Sequence, residues 1–114
     1  MIEIKNNNDS IKGNHVLLFM TPHCNPCKNM KLILQELETN HSDKINFYFI
    51  DTTKNEKLST KYKIKSVPTT IFKNENAIKD RFAGFIETVD LENKLMNLLF
   101  DFGSENDDFI DFNF

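Results

Sequence analysis

The sequence predicts an α/β fold, a small sheet with helices short enough to cover both of its faces. Three observations carry this expectation. The run His15-Val16-Leu17-Leu18-Phe19-Met20, bounded by turn signals, has the pattern of a strand buried on both sides. Residues 26–39 and 87–99 carry apolar side chains at helical spacing. Further β-rich runs alternate with these helices, giving the order β-α-β-α-β-β-α.

Taken along the chain, Ile2-Glu3-Ile4 fits a short edge strand, and Asp9 to Lys12 fits a helical turn ahead of Gly13-Asn14. After the buried strand at 15–20, the helix over 26–39 presents Met30, Leu32, Ile33, Leu34 and Leu37. That arc is wide enough to imply contacts on more than one side. Ile45 to Ile50 reads as a second strand, and 54–62 as a polar helix with Leu58 and Tyr62 on one face. Pro68 to Phe72 reads as a third strand, Thr69-Thr70-Ile71 being β-branched. Asn74-Glu75-Asn76 makes a hairpin turn, and Ile78 to Phe82 returns. Glu87 to Leu99 closes the pattern as an amphipathic helix with Val89, Leu91, Leu95, Leu98 and Leu99 on its apolar side.

A length of 114 residues suits one domain. No apolar stretch is long enough for a membrane span. Met1 to Asn8 show neither a basic start nor an apolar core, so no secretory leader is expected and a cytoplasmic, reducing location is. Charge is unevenly spread. Residues 101–114 hold five acids and no Lys or Arg, whereas residues 1–100 hold 12 acids and 14 bases. The expected organisation is therefore a domain over 1–100 and an acidic, Phe-rich tail over 101–114. No dense basic stripe exists, so nucleic-acid binding is not expected.

Cys24-Asn25-Pro26-Cys27 carries the chemistry. These are the only two cysteines, delivered by a strand to the first turn of a helix. There a sulfur meets unpaired backbone N–H groups and the positive end of the helix dipole, which stabilise a thiolate. The thiolate is the nucleophile of disulfide exchange, and CxxC settings lower its pKa from about 8.5 to roughly 3.5–7.5. Two intervening residues place Cys27 about one turn on, where its sulfur can attack a mixed disulfide at Cys24. Pro26 suits the first turn, where its missing N–H is harmless. Zinc is the competing use, but it needs about four ligands. The remaining candidates, His15, His23 and His41, lack a second paired spacing. A purely structural disulfide would close a tiny loop and constrain the unfolded chain little.

With these residues in view, the sequence resembles the thioredoxin family over about residues 15–100. Val16-Leu17-Leu18-Phe19 followed by Cys24-Asn25-Pro26-Cys27-Lys28 looks like the family's strand and CxPCK site. Phe49-Ile50-Asp51, Tyr62-Lys63-Ile64-Lys65-Ser66-Val67-Pro68-Thr69, Phe72-Lys73-Asn74 and Ala83-Gly84 continue the likeness. The resemblance implies a thioredoxin-like fold with a central mixed sheet flanked by helices. It implies that Cys24 attacks and Cys27 resolves, that Pro68 is cis and faces the sulfurs, and that the Val67 backbone pairs with substrate. His23, Asn25 and Pro26 complete the expected substrate-binding rim.

Three departures stand out. His23 occupies the place of the family's tryptophan, and could carry a proton near neutral pH. Leu18 occupies the place of a buried aspartate that helps deprotonate the resolving cysteine, and Phe47 that of its lysine partner. Glu75 stands where the hairpin glycine is expected.

The function expected is that of a protein-disulfide reductase, a monomer re-reduced by a thioredoxin-reductase-type donor, with no metal and no cofactor beyond its cysteines. The alternative is a thioredoxin-fold binding or scaffold module whose acidic aromatic tail recruits a partner. An oxidant or isomerase would require an exported protein.

Overall fold

The structure is a computed structural model that describes residues 1–99. The expected tail, with Phe100, lies outside the described residues. The elements are β1 (Ile2–Ile4), β2 (His15–Met20), α1 (Asn25–His41), β3 (Asn46–Asp51), α2 (Glu56–Lys61), β4 (Thr69–Lys73), β5 (Ile78–Ala83) and α3 (Thr88–Leu99).

The strands form one sheet in the order β1-β3-β2-β4-β5. β3 runs parallel to both β1 and β2, whereas β4 is antiparallel to β2 and β5. The sheet is therefore mixed, as the resemblance implies. All six residues of β2 are buried, because this central strand is covered on both faces. Its alternation divides the core. Val16, Leu18 and Met20 pack with Met30, Leu34 and Leu37 of α1 and Leu91, Leu95 and Leu98 of α3. Leu17 and Phe19 pack on the other face with Leu58 and Tyr62 beside α2.

Several expectations needed correction. Leu32, placed on the apolar arc of α1, is 64% exposed, and Val89 of α3 is 70% exposed. The face α1 buries is the narrower stripe at 30, 34 and 37, which is all that one sheet face requires. Asp9 to Lys12 form no helical turn. Asn6 and Asn7 instead turn the chain at positive φ. Asp9 Oδ2 accepts from the Tyr62 hydroxyl at 2.7 Å and from Lys61 Nζ at 2.8 Å, tying the segment to the end of α2.

α2 is shorter than expected because Asn55 serves the sheet. Its amide donates to the carbonyls of Asp51, at 2.9 Å, and Ile4, at 3.4 Å. The cap for the first turn of α2 comes from a distance, Asn7 Oδ1 accepting from Leu58 N at 3.1 Å. In the β4–β5 hairpin, Asn74 Oδ1 accepts from the backbones of Asn76 and Ala77. Glu75 fits without the glycine's freedom and reaches across to accept from Gly13 N at 2.9 Å.

Candidate active site

The chain leaves β2 through Thr21-Pro22-His23 and enters α1 at Cys24. Cys24 is the N-cap, with extended backbone (φ −107°, ψ 109°), and its sulfur accepts from the backbone N–H of Cys27 at 3.2 Å. The first helical bond runs from Lys28 N to the Cys24 carbonyl at 3.1 Å. Pro26 lies in the first turn, where it removes a donor that the helix does not use. That turn holds no acidic residue, so no carboxylate there opposes a negative sulfur.

Cys24 and Cys27 stand as a disulfide pair with Cα atoms 5.1 Å apart. The two sulfurs differ in access. Cys24 is half-buried, whereas Cys27 is fully buried among the apolar side chains of β2, α1 and α3. Leu18 and Phe47 belong to that same cluster, at 0% and 2% exposure. The environment beneath Cys27 is therefore hydrocarbon, in agreement with the substitutions seen in the sequence. Phe49 packs at the edge of the cluster, with Lys31 Nζ 3.7 Å from its ring centroid.

The Val67–Pro68 peptide bond is cis. Pro68 is buried, and its carbonyl accepts from Gly84 N at 2.7 Å. Gly84 has φ +87°, a conformation that a side chain would strain. The start of β4 is thus braced by the end of β5. Val67 packs half-buried against the cluster that contains Cys27 and that Cys24 also touches. His23, Asn25 and Pro26 are exposed around Cys24. One neighbouring feature escaped the sequence reading: a cleft lined by Glu3, Met20, Thr21, Pro22, Phe49 and Asp51. Glu3 reaches it only through the β1–β3 register, in which Glu3 pairs with Phe49, and local pattern cannot reveal that pairing.

A half-exposed sulfur capping a helix, with a second sulfur buried one turn behind it, defines a protein built for dithiol–disulfide exchange. A profile of the thioredoxin family matches residues 3–97, and the chain belongs to that family. Thioredoxin-1 of Drosophila melanogaster is 36% identical over 84 residues, 74% of each chain. Thioredoxin of Bacillus subtilis is 31% identical over 67 residues, 59% of this chain and 64% of that one. A chloroplastic M-type thioredoxin of Pisum sativum is 32% identical over 77 residues, 68% of this chain and 45% of that protein's length. Among solved structures, the crystal structure of the germline-specific thioredoxin Deadhead from Drosophila superposes with TM-score 0.70 at 32% identity, covering 78% of this chain and 84% of that one.

Proposed function

We propose that this protein reduces disulfides on protein partners through the Cys24–Cys27 dithiol and is itself re-reduced by a separate reductase of the thioredoxin-reductase type. The observation that carries this reading is the unequal access of the two sulfurs. The Cys24 thiolate attacks one sulfur of the substrate disulfide, and the other leaves as a thiolate and takes a proton. Cys27 then gives up its proton and attacks the Cys24 sulfur of the mixed disulfide. The second substrate thiol leaves, and the Cys24–Cys27 disulfide remains. Two electrons pass to the substrate, and the donor reductase returns them. His23, Asn25, Pro26 and half-buried Val67 form the surface on which the partner lies, backed by buried Pro68. We place the protein in a reducing compartment, the cytoplasm being the simplest. Among the described residues no helix is long and apolar enough to cross a membrane.

Equilibration of the Cys24–Cys27 couple with glutathione or dithiothreitol buffers tests the proposal. A reductant has a potential near about −270 mV, whereas disulfide isomerases and strong oxidants lie near about −180 and −120 mV. A value in the upper range overturns the reductase reading in favour of oxidation or isomerisation. Failure of the pair to cycle at all favours the scaffold alternative.

A further inference from the structure

The cleft beside the cysteine loop has the chemistry of a specificity pocket. It encloses about 160 Å³. That is well below the roughly 300–1,000 Å³ of a small-molecule site, and suits one long side chain. Met20, Pro22 and Phe49 supply apolar walls, and Glu3 and Asp51 supply two carboxylates. Asp51 is only 7% exposed. Its Oδ1 is occupied by the backbone and hydroxyl of Thr53, at 2.9 and 2.6 Å. Among the described residues Oδ2 receives no hydrogen bond, and it keeps some contact with solvent, so it is open to a donor beside the cleft. The Phe49 ring already receives a cation, Lys31 Nζ, so it is a surface on which an ammonium or guanidinium is at ease. The lining of the cleft itself carries two carboxylates and no cation, and Lys5 and Lys54 line a neighbouring cleft that shares Glu3.

We propose that this cleft takes an arginine or lysine side chain of a partner whose disulfide lies against Cys24. The stem packs on Met20, Pro22 and Phe49 while the charged head meets Glu3 and Asp51. The position fits. Pro22 precedes Cys24 by two residues, so their Cα atoms are at most about 7 Å apart. A basic residue two or three positions from the partner's reacting cysteine therefore reaches the cleft. This inference rests on the protein-disulfide reading above, and its test separates the two.

The test has two arms. In the first, the oxidised protein is titrated with N-acetyl-arginine amide and, in parallel, with N-acetyl-norleucine amide, and backbone amide shifts are followed by NMR. The arginine probe shifts Met20, Thr21, Phe49 and Asp51 saturably and in a salt-sensitive manner, and Glu3→Gln weakens that binding. Shifts elsewhere, equal shifts from both probes, or no change in Glu3→Gln overturn the proposal. Glu3 is the variant of choice because it lies on an edge strand, whereas Asp51→Asn disturbs a buried turn.

In the second arm, kcat/KM is measured for two disulfide peptides that differ only in an Arg or a Glu two residues from the cysteine. The expected preference for Arg is roughly three- to fivefold, the effect of a partly exposed ion pair. Glu3→Lys abolishes the preference, and Lys31→Gln, which removes the competing cation, increases it. An unchanged ratio in both variants rejects the cleft. Absence of turnover on either peptide defeats the reductase reading, and the titration alone then decides the cleft.

Discussion

The backbone N–H of Cys27 points at the sulfur of Cys24, 3.2 Å away, while the Cys27 side chain is sealed in the core. One residue thus contributes a donor that stabilises charge on its neighbour and a sulfur that only its neighbour can reach. The proposed order of attack rests on this difference, Cys24 being half-buried and Cys27 fully buried.

Replacing each cysteine by serine separates their roles. Cys27→Ser leaves the attacking sulfur without its resolving partner, so mixed disulfides through Cys24 accumulate. Cys24→Ser leaves only a buried thiol and traps little. Mass spectrometry of alkylation-quenched reactions should give at least about a tenfold difference in trapped adduct. Equal trapping by the two variants contradicts the assignment.

His15 makes the fold sensitive to acid. It is buried, its Nδ1 lies 2.9 Å from the Gly13 carbonyl, and its Nε2 has no partner among the described residues. Burial pushes the imidazole below its usual pKa. Lys73 adds to the effect, and the Gly13 carbonyl, Asp9 and Glu75 oppose it only in part. As pH falls, the unfolded chain takes up the proton first. The stability contributed by neutral His15 is therefore complete above about pH 6.5 and drains away below it. Melting temperature should fall between about pH 6.5 and 5, and His15→Asn should flatten that fall.

The same contrast between local and distant signals explains what the sequence revealed. β2 was readable because a strand buried on both faces needs an unbroken apolar run. The cysteine motif was readable because its chemistry depends on spacing within one helical turn. Asp9 was misread as part of a helical turn because its partners, Lys61 and Tyr62, lie about 50 residues away. Leu32 was misplaced because composition gives an apolar arc without saying which stripe of it meets the sheet. The cleft was invisible because Glu3 and Phe49 are brought together only by strand register.

Tyr62 and Asp9 form a lock between the β1–β2 connection and α2. Burial, followed by the Asp9 carboxylate, pushes the Tyr62 hydroxyl well above the usual phenol pKa. Burial alone would raise the Asp9 pKa, but the bonds from Lys61 and Tyr62 outweigh it and hold the carboxyl below its usual range. Tyr62→Phe should cost roughly 1–2 kcal/mol in urea unfolding near neutral pH. Tyr62→Phe and Asp9→Asn share one interaction, so the double variant should lose less than the two singles together. Strict additivity refutes the lock. Alkaline pH offers a second check. The folded chain keeps the Tyr62 proton after the unfolded chain has lost it, so this contribution is full below about pH 10 and declines above it.

Leu18 shares an apolar cluster with Cys27, and its place there predicts a slow second half-reaction. Cys27 must lose its proton before it can attack, and it lies in an apolar cluster with Leu18 and Phe47. An apolar setting also disfavours the thiolate itself. Resolution should therefore be slow near neutral pH and accelerate as pH rises. Leu18→Asp places a carboxyl in that cluster. Burial raises the pKa of such a group toward neutrality, where it serves as a general base worth roughly 10²-fold or more in a proton-transfer step. The substitution also removes a fully buried leucine, at a cost of roughly 3–5 kcal/mol. A domain in the upper part of the ordinary range of about 5–15 kcal/mol survives that loss. Stopped-flow reduction of a protein disulfide at pH 7, on a variant whose fold is verified by circular dichroism, provides the measurement. A faster resolving step that is less dependent on pH supports the assignment. An unchanged rate and pH profile in the folded variant means that proton removal from Cys27 is not the slow event.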